Sequence, residues 1–315
     1  MSSEAIQDQQ KTWTQTPPAT PPLRHAIAQV AEKQMWLDRL AQPFQRWVLQ
    51  LFGQPGEPQR KIKDVLNGTW LGHALHPVFT DVPLGGWSGT LLLDLLWLVY
   101  EDEGVARGAD TTLGLGLLGA IAAALTGVAD WSDLYDTDLR VGFLHGLLNG
   151  GIALTYVVSW LLRLTGRRRA GVAVSTAGYV TALFSAYLGG ELVFAKGVGV
   201  NHDAFAPGSD TYVVVMDVTD LAEGKLTRVD VAGIPAVLLK RGSAIYAIGA
   251  TCTHQGGPLD EGTLKEGEIV QCPWHGSCFH LRDGSVVIGP AVYAQPTFAV
   301  RVRKNTIELR RIDHA

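Results

Sequence analysis

Two cysteines and two histidines bracket the stretch CTHQGGPLDEGTLKEGEIVQCPWH, residues 252–275. They fall as Cys252-x-His254 and Cys272-x-x-His275, so each end supplies one thiolate and one imidazole. Such a set can clip a zinc ion, present two reactive thiols, or carry electrons on iron. A structural zinc site usually groups its ligands differently, as C-x-x-C with H-x-x-x-H or as mixed knuckles. Mixed pairs on two separate loops suit two different irons. The thiolates Cys252 and Cys272 would hold one iron. The neutral imidazoles His254 and His275 would hold its partner, which leaves a cluster less negative and easier to reduce.

Loops need a frame to hold them. From Thr211 the chain runs in short β-rich segments, TYVVVMDV, IPAVLLK, SAIYAIG, EIVQCPW, FAVRV and TIELR, separated by turn residues. That pattern predicts a small all-β domain over residues 211–315. Upstream the composition is different. Runs at about 83–100, 111–129, 141–162 and 170–190 are long and almost free of charge, with Asp94 and His145 as exceptions. A membrane span needs about 20 apolar residues, so residues 77–194 read as a four-helix transmembrane bundle. In the second run Gly119, Ala123 and Gly127 share a face and would let a neighbouring backbone approach. GLGLLG (114–119) matches a dinucleotide fingerprint letter for letter. It follows no strand and precedes no suitably placed acid, so helix packing explains it better.

Residues 1–23 are polar and Pro/Thr-rich, a composition expected to be disordered. Residues 24–76 hold an amphipathic segment, read as one or two helices broken at Pro43 and lying on the membrane. Residues 195–210 have linker composition and would reach at most roughly 50 Å, enough for a swinging domain. Net charge is −4 with no aromatic–basic stripe, so nucleic-acid binding has no support. Three cysteines exclude a disulfide scaffold.

The C-terminal hundred residues, Tyr212 to Arg311, resemble the Rieske family. The likeness rests on the C-x-H…C-P-W-H pair, the G-P-L after the first half, HGSCFHLRDGSV after the second, and GPA…QP in a third loop. It implies a [2Fe-2S] cluster on Cys252, His254, Cys272 and His275, with Cys278 and His280 outside the ligand set. Rieske proteins of quinol-oxidising complexes carry one further Cys in each cluster loop, joined as a disulfide. Here Gly257 and Trp274 stand in those places, as in ferredoxin-like members. The resemblance also implies that Ser277 donates a hydrogen bond to the cluster, whereas Phe279 replaces a second, tyrosine donor. One donor kept and one lost predicts an intermediate potential.

The bundle sequence LGHALHPVFTDVPLGGW with FLHGLLNGG is similar to bacterial four-helix membrane domains with a G-H-P-L-H-P-like signature, sometimes followed by a Rieske domain. Ala74 stands where Pro is commoner. The expected fold class is therefore an α-helical four-span transmembrane bundle followed by an all-β Rieske-type domain. Polar residues gather at the bundle end nearest that domain: His73, His76, Asp81, Asp130, His145, Glu191 and His202. Ionisable groups near spans are functional hypotheses by default, although membrane interfaces also collect them. A haem b held by a pair such as His76 and His145, or a quinone head-group site, are the two readings.

The four arginines of residues 163–169 would put that loop inside and the Rieske domain outside. Against this stand the basic N-terminal segment, the lack of a signal peptide or twin-arginine signal, and the absent disulfide. These favour an inner-membrane protein with both termini and the Rieske domain cytoplasmic. The expected function is single-electron transfer between a membrane partner, quinone pool or haem, and a redox partner protein. The competing readings are a membrane-anchored ferredoxin for an oxygenase or reductase, and a redox sensor. No His₂–carboxylate triad follows the Rieske region, so the chain reads as an electron carrier rather than a stand-alone enzyme.

Overall fold

In lipid a chain must satisfy its own backbone polar groups, which leaves helices as the solution for the apolar runs. The computed structural model describes residues 32–53, 57–206 and 210–312. Among these residues two amphipathic helices, α1 (Asp38–Phe52) and α2 (Arg60–Asn67), precede the apolar ones. Four long ones follow: α3 (Leu75–Tyr100), α4 (Glu103–Trp131), α5 (Asp136–Leu164) and α6 (Arg168–Gly190), the last running into a π turn over Glu191–Ala195. All four are long and apolar enough to cross a membrane. Leu92, Leu118, Leu154 and Val180, one from each, are more than 60 % exposed, as lipid-facing side chains should be.

Each helix extends beyond its apolar run. α3 starts eight residues before Pro83, which sits inside it. Val82 and Pro83 pack where a Cβ on Gly119 would stand, within 2.6–2.8 Å, so α4 makes room for the ring. Gly116 does the same for Trp87. Gly116 and Gly119 of GLGLLG are thus contact points between helices, Gly114 faces open space, and no nucleotide-type turn forms there.

The expected break at Pro43 does not occur. α1 runs through it, and the chain breaks instead at Gly53, with φ +68°. Pro43 removes one backbone hydrogen bond, but packing outweighs that loss. Leu37, Ala41, Gln45 and Val48 form a buried face against the end of the bundle, and Gln45 donates to the carbonyls of Ser132 and Leu134 at 3.0 and 2.8 Å. Trp36, Leu40, Trp47 and Leu51 cover the opposite, exposed face. That amphipathic surface suits the membrane interface. The expectations for residues 1–23 and 24–31 lie outside the described residues.

The β domain is built from ten strands: β1 (Val213–Asp217), β2 (Thr227–Val231), β3 (Ile234–Arg241), β4 (Ala244–Gly249), β5 (Thr263–Lys265), β6 (Ile269–Gln271), β7 (Cys278–His280), β8 (Val286–Ile288), β9 (Thr297–Arg303) and β10 (Thr306–Ile312). They form two antiparallel sheets, ordered β1-β10-β9-β4-β3-β2 and β5-β6-β7-β8. β3 is buried on both faces. Val237 and Leu239 meet the small sheet in a core with Ile248, Val270 and Phe279, while Ala236 and Leu238 pack on the other side with Phe298 and Ile307. Cys252 and Cys272 sit in the first of these cores. The cluster loops therefore leave the sheets from within a buried core.

Candidate functional site

The two loops have the same backbone design. The Cys252 N–H donates to the Gly257 carbonyl at 2.8 Å, and the Cys272 N–H to the Ser277 carbonyl at 2.8 Å. Four residues past each cysteine stands a left-handed glycine, Gly256 at φ +76° and Gly276 at φ +78°, whose N–H returns to the cysteine carbonyl. This curl aims backbone N–H groups at sulfur: His254 and Gln255 at Cys252, Trp274 and His275 at Cys272. Each thiolate would be stabilised by two such donors. The two thiols also hydrogen-bond each other, which pushes Cys272 down to about 7 and Cys252 up.

The imidazoles converge as well. The rings of His254 and His275 lie edge to face with centroids 4.9 Å apart. Nδ1 of His254 and Nε2 of His275 are buried with no hydrogen-bond partner. A buried, unpartnered ring nitrogen is costly unless something binds it. Burial pushes His254 down to about 3 even against the nearby Asp133 carboxylate, so the ring is neutral, as a metal ligand requires. Two soft thiolates and two neutral nitrogens, set in pairs, are the donors that a two-iron cluster needs.

Gly257 and Trp274 pack against each other. A Cβ at Gly257 would lie 2.9 Å from Cys272 Sγ and 3.1 Å from the Trp274 ring, so the indole covers the junction of the two loops. Ser277 is fully buried, and its Oγ accepts from the Ala291 N–H of the third loop at 3.0 Å, which leaves its own proton to donate. Phe279 is core. Cys278 is buried in β7, where burial raises its thiol to about 11, and His280 is half-buried beside it.

The imidazole side of these loops rests on the bundle. The Tyr135 ring, in the turn between α4 and α5, stacks on His275 with centroids 5.1 Å apart. The Arg60 guanidinium of α2 donates to the Gly289 carbonyl at 2.8 Å, and Asp64 accepts from the Gly289 N–H at 3.1 Å. Lys63 and Asp133 form a buried ion pair beneath. Asp133 is lowered despite its burial, because Lys63 stands beside it. In the sequence Arg60 and Lys63 count only as part of the basic N-terminal segment, and Asp133 and Tyr135 carry no mark. Nothing local distinguishes them, since their burial comes from the docking of distant segments.

The seven polar residues flagged at this bundle end do not form a single pocket. His73 is exposed, with Tyr293 of the third loop 6.3 Å from its ring. His76 and His145 hydrogen-bond to the helices beside them. Asp130 accepts from Asn67 at 2.6 Å, Asp81 is exposed on α3, and Glu191 opens the π turn. His202 lies on the first cluster loop, its N–H donating to the Thr253 carbonyl at 3.1 Å. The described linker residues are thus held along the domain. A cavity of about 490 Å³ lies here, lined by Tyr135, Asp136, Asp138, Lys196, His202 and Gln255.

Residues 211–299 match the Rieske [2Fe-2S] domain family, and residues 72–202 match a family described as predicted membrane protein (DUF2231). Ferredoxin CarAc of Metapseudomonas resinovorans is 31 % identical over 97 residues, which are 30 % of this chain and 90 % of that ferredoxin. This chain belongs to the Rieske [2Fe-2S] family. Its Rieske domain follows a domain that matches a family of predicted membrane proteins. Apoptosis-inducing factor 3 of Mus musculus is also similar, 31 % identical over 105 residues, 33 % of this chain; the chain spans 17 % of that relative's length. Among solved structures, the ferredoxin of carbazole 1,9a-dioxygenase from Nocardioides aromaticivorans IC177 is 29 % identical, covering 32 % of this chain and 97 % of that one, with a TM-score of 0.31.

Proposed function

We propose that Cys252 and Cys272 hold one iron of the Rieske cluster, His254 and His275 the other, and that the cluster exchanges single electrons with a membrane partner. The cluster supplies a one-electron store whose imidazole ligands couple electron uptake to proton uptake. The stacking of Tyr135 on His275 carries the membrane half of this reading. It sets the imidazole edge against the bundle, whereas a simple anchor has no need to cover that edge. Ser277 raises the potential by hydrogen bonding, and Lys63 with Asp133 orients the docked face. The membrane partner is a quinone or a haem. The cavity beside Gln255 offers a polar head-group site, and His76 with His145 offers ligands. A soluble protein takes the other end of the transfer, reaching the exposed edge at Pro273 and Trp274.

The Rieske domain faces the cytoplasm in this reading. Arg163 and Arg168 are drawn into ion pairs with Asp94 and Asp110, which weakens the positive loop that argued for the opposite orientation. A second reading, an anchored ferredoxin for an oxygenase, is favoured by the near-full-length match to a ferredoxin. Potentiometric EPR on membranes containing the protein separates them. A midpoint near the top of the Rieske range of about −150 to +300 mV supports quinol as donor. A midpoint near the bottom supports the anchored ferredoxin. Absence of a reduced Rieske signal overturns the cluster assignment.

A further inference from the structure

The bundle is a duplicated hairpin. α3 and α5 align with a spacing of 69 residues, which pairs His76 with His145, Trp87 with Tyr156, and Asp94 with Arg163. α4 and α6 align with a spacing of 62, which pairs Gly116 with Gly178, Ala123 with Ser185, and Gly127 with Gly189. The contacts repeat accordingly. Gly116 and Gly178 leave room for the aromatic residue or its neighbour on the partner helix, and Gly127 and Gly189 leave room for the two histidines. Such parallel repeats are related by an axis along the membrane normal.

Across that axis α3 and α5 meet at equivalent residues. Trp87 and Tyr156 stack with centroids 4.1 Å apart and planes inclined by 6°. Asp94 and Arg163 pair, Nη1 to Oδ1 2.7 Å. His76 and His145 form the third equivalent pair, eleven residues nearer the Rieske domain. Their hydrogen bonds also match. Nδ1 of His76 lies 2.9 Å from the Ala123 carbonyl, and Nδ1 of His145 lies 2.9 Å from the Ser185 carbonyl. A carbonyl oxygen only accepts, so each ring carries its proton on Nδ1 and has its lone pair on Nε2, where that of His145 accepts from the Asn149 amide. Backbone carbonyls fix metal-binding histidines in this way.

We infer that His76 and His145 are the two axial ligands of a b-type haem held between α3 and α5. Two lone pairs offered from symmetry-equivalent positions suit an ion with two open axial sites. A neutral quinone needs hydrogen-bond donors instead, and these nitrogens have none to give. The Asn149 amide nitrogen, 3.0 Å from His145 Nε2, would be displaced on binding. The helix surface beside it is bare, because Gly146, Gly150 and Gly151 are exposed and a Cβ at any of them would meet no atom within 4 Å. The site deepens the proposed exchange between cluster and membrane, but rests on that reading for its role alone.

The test uses the full chain, expressed with haem precursor and purified in detergent. Optical spectra, pyridine haemochrome and EPR are recorded on one sample. The expected result is a low-spin haem with two imidazole ligands, lost in His76→Gly and in His145→Gly and restored in each by added imidazole. Asn149→Ala should keep it. The Rieske EPR signal reports folding of every variant and fails independently if the cluster assignment is wrong. A wild-type sample with the Rieske signal and no haem overturns the inference, as does a haem spectrum unchanged in both glycine variants. Quinol-dependent reduction that needs both histidines, in haem-free protein, would reassign the pair to quinol.

Discussion

The Lys63 ammonium and the Asp133 carboxylate meet with side-chain exposures of 0 % and 5 %, between the bundle and the imidazole edge of the Rieske domain. Burial depresses Lys63, and Asp133 holds its charge in place. Removing one partner of such a pair typically costs about 3–5 kcal/mol, whereas replacing both with apolar groups costs far less. Asp133→Ala should therefore release the docked face, and Lys63→Met with Asp133→Leu should largely restore it. Hydrogen exchange over residues 289–291, where Arg60 and Asp64 grip the third loop, reads the difference. Equal exchange in all three proteins would remove the pair from the docking contact.

Gly257 lies too close to Cys272 to carry a side chain. A Cβ 2.9 Å from Sγ and 3.1 Å from the Trp274 ring obliges the cysteine sulfur or the indole to give way. Gly257→Ala should lower bound iron and acid-labile sulfide per purified chain severalfold, with the helical circular dichroism of the bundle unchanged. Full iron and sulfide content would show that the loops can separate.

Ser277 is expected to tune the potential while leaving assembly intact. Losing one net hydrogen bond of about 1.4 kcal/mol corresponds to about 60 mV for a one-electron couple. Ser277→Ala should lower the midpoint by that order. It also removes the acceptor for the Ala291 N–H, so Ser277→Thr is the variant that keeps both contacts. A midpoint unchanged in the alanine variant would assign the hydroxyl to the loop alone.

Asp203 gives the Rieske side a pH dependence. Burial raises its carboxyl from the usual 3.8 to about 6, with Arg311 opposing. The folded state therefore holds the proton more tightly than the unfolded one. Its contribution is complete below pH about 4 and is lost as pH rises through about 6, a change on the order of 1–3 kcal/mol. Asp203→Asn should abolish that part of the profile and stabilise the protein at pH 7, measured by denaturant midpoints of the visible cluster band at several pH values. Parallel wild-type and variant profiles would contradict the assignment.

The sequence by itself determined the chemistry and the order of parts. Spacing and residue type singled out Cys252, His254, Cys272 and His275 as the proposed ligands, because a donor set carried on two short loops is a local property. Apolar length named four spans, because a bilayer demands it. Strands of five residues or more, except β2, were legible in the β-rich runs, while the three-residue strands β5, β7 and β8 were too short to announce themselves. Pro43 misled, since the cost of a missing hydrogen bond is local and the packing that outweighs it is not.

Only the tertiary structure decided what those parts face. It joined Lys63 and Asp133 in a buried pair, and drew Arg163 from a positive loop onto Asp94. It set Tyr135 on His275, and made His76 and His145 equivalent across an axis. The spacing of 69 was present in the letters, but few side chains are identical between the repeats. What the repeats share is a set of contacts, and contacts exist only once distant segments have packed.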